Sequence, residues 1–125
     1  MSWTSIISAI VIGAHGIGHI LGWGPAIKLT WESPTTNLNS WLFDGASARV
    51  MATLLFGIAT IGFIATAFAM YTDQPWMRTT AITSAVISLL ATIIFPHALP
   101  LSSIIGCTIV NIGVLVLVGT LQFPR

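Results

Sequence analysis

Long apolar stretches of this chain are separated by short polar ones, and the apolar stretches carry no charged side chain. Uncharged sequence runs from the N-terminus to residue 27, from 50 to 72 and from 79 to 124. A helix needs about 20 apolar residues to cross the hydrocarbon core of a bilayer, so the last stretch, which Pro96 and Pro100 divide, is long enough for two crossings. The pattern predicts an all-α protein, an integral membrane four-transmembrane-helix bundle formed by a single domain, 1–125. Its helices are expected near residues 4–23, 47–71, 77–95 and 101–121.

The connection between the first two predicted helices, residues 25–46, is long for so small a chain. Gly24-Pro25 is expected to end the first helix, because proline cannot continue the hydrogen-bond ladder. The loop holds Trp31 and Trp41 among polar residues, which is typical of an interfacial segment at headgroup depth. A lid over the mouth of the bundle and a docking surface for another subunit are the alternatives.

Composition excludes a water-facing surface. Charged residues make up 6% of the chain, whereas soluble domains carry about 25%. The formal net charge is +1 without a basic stripe, so nucleic acid is not an expected partner. We expect the protein to contact the lipid bilayer and to lie in a bacterial inner (cytoplasmic) membrane. Four crossings place both termini on the same side, and the basic residues near the span ends do not decide which side.

Small and polar residues recur along the predicted helices at spacings that suit helix contacts. Residues four positions apart lie on one helix face, where small side chains let another backbone approach. Asn111 is the strongly polar side chain of the fourth predicted helix and is expected to form an interhelical hydrogen bond. The residues predicted to pack helices together are Gly18, Gly22, Thr80, Ser84, Ser88 and Asn111.

Two histidines, His15 and His19, stand four residues apart in the first predicted helix and therefore share a face. Imidazoles in a membrane-spanning segment are costly unless they face protein, water or a ligand. They are the candidate cofactor-binding residues, because one axial imidazole suffices for a haem iron or a chlorophyll-type magnesium. The cofactor itself stays unknown, and we assign no metal ligands. Two alternatives remain: a metal held together with His97, and hydrogen bonds to hydroxyls, Asn111 or backbone carbonyls.

The remaining reactive residue types give no catalytic set. Cys107 is the single cysteine of the chain, which excludes an internal disulfide and a thiolate metal cage. We expect Cys107 to pack as a small apolar residue. The sequence contains no Ser/His/Asp set, paired carboxylates, phosphate-binding loop or dinucleotide fingerprint, so the protein is not expected to be an enzyme.

The pattern His15-Gly16-x-x-His19-x-x-Gly22 near the end of the first helix resembles the DoxX-like group of small four-helix bacterial membrane proteins. In that group, a basic residue, usually lysine, stands at the position of His19. The resemblance implies a small membrane component that is sometimes linked to redox complexes. It implies no catalytic residue.

These observations predict a non-catalytic integral membrane protein that serves as a small accessory or structural subunit of a larger membrane complex, of a redox, photosynthetic or respiratory kind. Other membrane protein subunits are the expected partners. The alternative is a binding or transport protein that holds a lipophilic or tetrapyrrole ligand near His15 and His19. A redox membrane enzyme of the DoxX-like type is the third possibility.

Overall fold

The protein is all-α, as a computed structural model that describes residues 2–26 and 37–121 shows. Within those residues there are five α-helices and no strand, and the last helix continues into a π-helical segment. The prediction of an all-α fold is confirmed. The helices are α1 (Trp3–Gly18), α2 (Ile20–Ala26), α3 (Gly45–Tyr71), α4 (Met77–Ile94) and α5 (Leu101–Val114), which the π-helical segment Leu115–Thr120 extends.

Four of the helical stretches are long and apolar enough to cross a membrane. They begin and end within a few residues of the predicted limits. Large apolar side chains are exposed along all of them, for example Ile10, Ile61, Ile93 and Ile109, which is the surface that a hydrocarbon environment requires. These features suggest an integral membrane protein. The four stretches are Trp3–Gly24, Gly45–Tyr71, Met77–Ile94 and Leu101–Thr120.

The first span is interrupted at His19, where one continuous helix was predicted. The His19 N–H bonds to the Gly16 carbonyl at 3.1 Å and the Gly22 N–H to the His19 carbonyl at 3.0 Å, so the chain tightens to an i→i+3 turn. Glycine weakens a helix by about 1 kcal/mol relative to alanine, which makes this glycine-rich stretch the natural place for a break. The helix also continues past the predicted stop at Gly24-Pro25, to Ala26.

Helix α3 is the centre of the packing. Helices α1 and α2 pack on α3, α3 packs on α4, and α4 packs on α5. Phe56 and Phe63 of α3 are fully buried and belong to two apolar clusters, one towards the loop that precedes α3 and one towards the chain termini. The two clusters lie on either side of the polar groups described below.

The described part of the connecting loop lies across one end of the bundle. The Asn37 N–H donates to the His97 carbonyl at 2.7 Å, and the Trp41 indole N–H donates to the Ile93 carbonyl at 2.7 Å. Phe43 stacks on Phe95 with ring centroids 6.5 Å apart. Residues 37–44 therefore cover the ends of α3 and α4, whereas the prediction for Trp31 lies outside the described residues.

The predicted stripe of small residues on α4 faces other helices of this chain, and Ser84 faces α3. Ser84, Ser88 and Thr92 are buried, and a Cβ placed on Gly62 of α3 would lie 3.2 Å from the Ser84 Cβ. Thr80, at the start of α4, is only partly buried, and its hydroxyl donates to backbone carbonyls of its own turn. The stripe therefore packs helices within this chain and leaves little room for larger side chains.

We expect Ser84→Leu to destabilise the fold by about 2 kcal/mol, because added volume in a close helix contact forces the helices apart. The matched control is Thr83→Leu, at an exposed position on the same helix. Reversible unfolding in mixed detergent micelles, followed by circular dichroism, measures both variants. Equal stability of the two variants would contradict the close α3–α4 contact.

Candidate functional site

Five side chains from three spans meet in the interior of the bundle and form what we call the polar cluster: His15, His19, Ser88, Cys107 and Asn111. His15 lies on α1, and His19 lies at the junction of α1 and α2. The other three members come from α4 and α5. Ser88 and Asn111 are fully buried, and His19 is 1% exposed. Burial of so many polar groups in apolar surroundings is costly unless each group finds a partner.

The polar groups of the cluster satisfy one another through a chain of hydrogen bonds. His15 Nε2 lies 3.1 Å from Asn111 Oδ1, and Asn111 Nδ2 donates to Ser88 Oγ at 2.6 Å. Ser88 Oγ lies 2.5 Å from His19 Nε2. His19 Nδ1 lies 3.1 Å from the backbone carbonyl of His15, which closes the chain on the helix where it began.

The direction of these hydrogen bonds can be assigned from the His15 carbonyl, because a carbonyl oxygen can only accept. His19 Nδ1 must carry the proton that the carbonyl accepts, so His19 Nε2 has a free lone pair and accepts from the Ser88 hydroxyl. At the other end, the Asn111 carbonyl oxygen accepts, so His15 Nε2 donates. The two neutral imidazoles are therefore opposite tautomers: His15 is protonated on Nε2 and His19 on Nδ1.

Cys107 lies beside this chain of hydrogen bonds. Its Sγ is 3.4 Å from Ser88 Oγ and 3.8 Å from His19 Nε2, and it accepts from Asn111 Nδ2 at 3.3 Å. One ring nitrogen of His15, one of His19 and the Cys107 Sγ lie within 4.8 Å of one another. Two imidazole nitrogens and a thiol sulfur thus converge on one point.

Aromatic rings of α3 form the wall behind the histidines. The ring centroids of His15 and Phe63 are 4.7 Å apart in an edge-to-face arrangement, and those of His19 and Phe63 are 5.6 Å apart. The approach depends on Gly16, because a Cβ there would lie 2.8 Å from the Phe63 Cβ and 3.3 Å from the Thr60 carbonyl oxygen. Close packing of α1 on α3 therefore fixes the positions of both imidazoles.

A cavity of about 100 Å³ adjoins the cluster between α1 and α5. It reaches the two histidines and Cys107, whereas Ser88 is not among its lining residues. Gly18 lies at its edge, with no atom of the described residues within 4 Å of the position that a Cβ would take. The residues that line the cavity are His15, Gly18, His19, Leu21, Leu99, Ser103 and Cys107.

The two candidate cofactor-binding residues face the protein interior, where they meet Asn111 and Ser88. These contacts correspond to the alternative in which the imidazoles form hydrogen bonds to a hydroxyl group and to Asn111. His97 lies exposed in the turn between α4 and α5 and is not part of the cluster. The third group that comes near the histidines is instead Cys107, which was predicted to pack as a small apolar residue.

The predicted packing residues lie in four different environments. Ser88 and Asn111 belong to the polar cluster, while Ser84 and Gly22 pack in other parts of the bundle; a Cβ on Gly22 would lie 2.8 Å from the Phe56 ring. Thr80 is partly exposed. Gly18 differs from its prediction, because it lies on the exposed side of α1 and packs against no described neighbour. The four-residue spacing predicts that Gly18 and Gly22 lie on the same face of one helix. Because the helix is interrupted at His19, Gly22 packs on Phe56 whereas Gly18 is exposed.

One feature of the sequence could have indicated that Cys107 belongs to the polar cluster. Cys107 and Asn111 are four residues apart and share a face of α5, as His15 and His19 do in the first span. Two polar i,i+4 pairs on different spans can meet when the helices are antiparallel neighbours or cross at similar depth. The pairing becomes visible only once the packing of the spans is known.

The Ser88–His19 pair has the composition of a nucleophile and its base, but not the access. Ser88 Oγ accepts from Asn111 and donates to His19, and the side chain is fully buried. Nucleophilic catalysis requires an open position in contact with both the nucleophile and the oxyanion donors. The cavity beside the cluster reaches His19 without reaching Ser88, so this pair meets no substrate from that side.

Comparisons with models of protein families, with curated proteins and with solved structures give no match to this chain.

Proposed function

We propose that this protein is a non-catalytic integral membrane protein that acts as a small accessory subunit of a larger membrane complex. In this proposal the four spans lie in a bacterial inner membrane, with both termini on one side, and a transmembrane helix of another subunit packs against the chain. The observation that carries the proposal is an apolar groove between α1 and α5, which we call the seam.

The seam has the size and lining of a helix-packing surface. Its volume is about 240 Å³, and almost all of the lining is apolar. The seam exists because α1 packs mainly on α3 and α5 mainly on α4, which leaves the two outer helices apart on the lipid side. The residues at its rim include Ile7, Ser8, Val11, Val110, Gly113 and Leu117.

Glycines along α5 favour a protein occupant over lipid. Gly106 and Gly113 are seven residues apart and lie on one face, and no described atom lies within 4 Å of the position of a Cβ on either residue. Packing within the described chain gives no reason for glycine at these positions. In membrane helices, small residues let a second helix backbone approach closely, which a side chain at these positions would prevent.

We propose that the protein is not an enzyme because the polar groups of the cluster are hydrogen-bonded to one another and not to an open site. Ser88 also lies out of reach of the cavity. The alternative of a tetrapyrrole near His15 and His19 is less well supported. Pockets for cofactor-sized ligands measure roughly 300–1,000 Å³, whereas the cavity that adjoins the imidazoles measures about 100 Å³. The DoxX-like resemblance stays a prediction.

A photo-crosslinking amino acid at Gly113 is expected to capture one membrane protein in native membranes. The matched control carries the same crosslinker at Ile105, an exposed position on the same helix. The expected result is a single crosslinked band from Gly113, identified by mass spectrometry as another membrane subunit, and no such band from Ile105.

A substitution that occupies the seam provides a second test of the same proposal. Gly113→Leu places a side chain in the seam, and its Cβ meets no described atom within 4 Å, so the fold should be retained while co-purification of the captured subunit is lost. Crosslinking to lipid alone, or equal capture from both positions, would contradict the accessory-subunit proposal. A crosslink to a second copy of this chain would replace it by self-association.

A further inference from the structure

We propose that His15, His19 and Cys107 form a binding site for a soft monovalent metal ion, copper in its +1 state. This inference does not depend on the partner subunit at the seam; it uses the same polar cluster that the proposed function treats as closed in the ion-free form. Its basis is the convergence of three donor atoms, two nitrogens and one sulfur, all within 4.8 Å of one another.

The donor set suits a soft ion. Thiolate sulfur selects copper(I) and zinc, and imidazole nitrogen binds both ions. In a three-coordinate site with bond lengths of about 2.0 Å to nitrogen and 2.3 Å to sulfur, donors stand roughly 3.5 Å apart. Cys107 Sγ and His19 Nε2 are already 3.8 Å apart. The separations in the donor set reach up to 4.8 Å, so ion binding draws the most distant pair together by about 1 Å.

Lone pairs for the ion are available without breaking the helices. His19 Nε2 accepts from the Ser88 hydroxyl in the ion-free form, and its lone pair passes to the ion when that hydroxyl turns towards a carbonyl of its own helix. In the tautomer that donates from Nε2 to Asn111, the free lone pair of His15 is on Nδ1, so we infer that Nδ1 is its donor to the ion. Its hydrogen-bond partner Asn111 orients the ring, as outer partners of metal-bound histidines do.

Charge favours a monovalent ion over zinc. Binding of Cu⁺ releases one proton from the Cys107 thiol to the solvent, so one positive charge enters as another leaves and the buried cluster stays neutral. Zn²⁺ with the same three ligands would leave one uncompensated positive charge inside the bundle. A buried net charge in apolar surroundings is strongly disfavoured.

The cavity provides space for the ion beside its ligands. It is lined by all three donor residues, and its volume of about 100 Å³ is ample for an ion but small for an organic cofactor. Gly18 at its edge leaves the opening free of a side chain.

Anaerobic titration of the purified full chain in detergent, with copper(I) and a colorimetric copper(I) chelator as competitor, tests the site. The expected result is one copper(I) ion per chain. Cys107→Ser should weaken binding by about 100-fold or more, because it replaces the thiolate by a hydroxyl of similar size. His97→Ala, at the exposed histidine, should leave binding unchanged. Absence of binding by the wild type, or equal binding by Cys107→Ser, would overturn the site.

Spectroscopy of the wild type keeps the test independent of whether the variant folds. X-ray absorption at the copper edge should show one sulfur neighbour at about 2.3 Å and two nitrogen neighbours at about 2.0 Å. A shell without sulfur, or with sulfur alone, would overturn the assignment. Zinc in the same competition format should bind at least about tenfold more weakly, and equal affinity for zinc would refute the charge argument on which the choice of copper(I) rests.

Discussion

Gly16→Ala should destabilise the protein by about 2 kcal/mol, although alanine is the better helix former. The added Cβ would lie 2.8 Å from the Phe63 Cβ and 3.3 Å from both a backbone nitrogen and a carbonyl oxygen of α3. Backbone atoms in a packed helix cannot move aside individually, so α1 as a whole must shift. That shift would also move His15 and weaken the polar cluster.

Gly18→Ala is the matched control for this prediction. It makes the same chemical change two residues later, at a position where a Cβ meets nothing within 4 Å. The variant should be as stable as the wild type or more stable by up to about 1 kcal/mol, because only the helix propensity changes. Unfolding in mixed micelles, followed by circular dichroism, compares the two. Gly16→Ala with a stability equal to that of Gly18→Ala would show that α1 and α3 are not in close contact.

This pair of glycines also marks how far the sequence can predict the fold. The absence of charge over long stretches is a property of each span alone, so the number and limits of the four helices followed from it. Which glycines pack is a property of two helices together. Gly16 faces Phe63 and Gly18 faces outwards, yet both are glycines of the same helix with the same sequence surroundings, so spacing could not distinguish them.

The polar cluster was predicted in part for the same reason. The cost of an imidazole in lipid required that His15 and His19 face protein or a ligand, and Asn111 followed as a polar residue in an apolar span. Burial of the Cys107 thiol carries no such free-energy cost, because cysteine packs in an apolar core as a small hydrophobic residue. The cost of burial therefore does not indicate which neighbour Cys107 has. Its place next to His19 depends on how α5 is rotated against the first span, which the sequence does not specify.

Asn111→Leu should cost about 2 kcal/mol of stability, because a buried donor on His15 loses its acceptor and Ser88 loses the N–H that it accepts. Leucine has the branching of asparagine but a larger volume, so no cavity opens, and the loss of the polar contacts adds to the cost of fitting the larger side chain at this fully buried position. Thr108→Val, on the same helix, is the control. The Thr108 hydroxyl donates only to the Ile104 carbonyl of its own helix, so this change should stay within about 0.5 kcal/mol.

A double-mutant cycle isolates the contact between the two spans. His15→Phe removes the donor that Asn111→Leu leaves unpaired, so the double variant should be less destabilised than the sum of the single variants by about 1 kcal/mol. The same unfolding assay measures the four proteins of the cycle. Strict additivity of the two substitutions would mean that the His15–Asn111 hydrogen bond contributes nothing to the stability of the bundle.

The direction of the hydrogen bonds in the cluster has a consequence for proton movement. A proton wire must be able to reverse, since each passage leaves every donor turned the wrong way for the next. Here the chain ends on the His15 carbonyl, which accepts but never donates, and it passes through the side-chain amide of Asn111, which does not exchange its protons along the chain. Reversal would turn the lone pair of His19 Nδ1 towards that carbonyl oxygen. Four polar side chains can therefore be hydrogen-bonded in series inside this helical bundle without forming a path along which protons move.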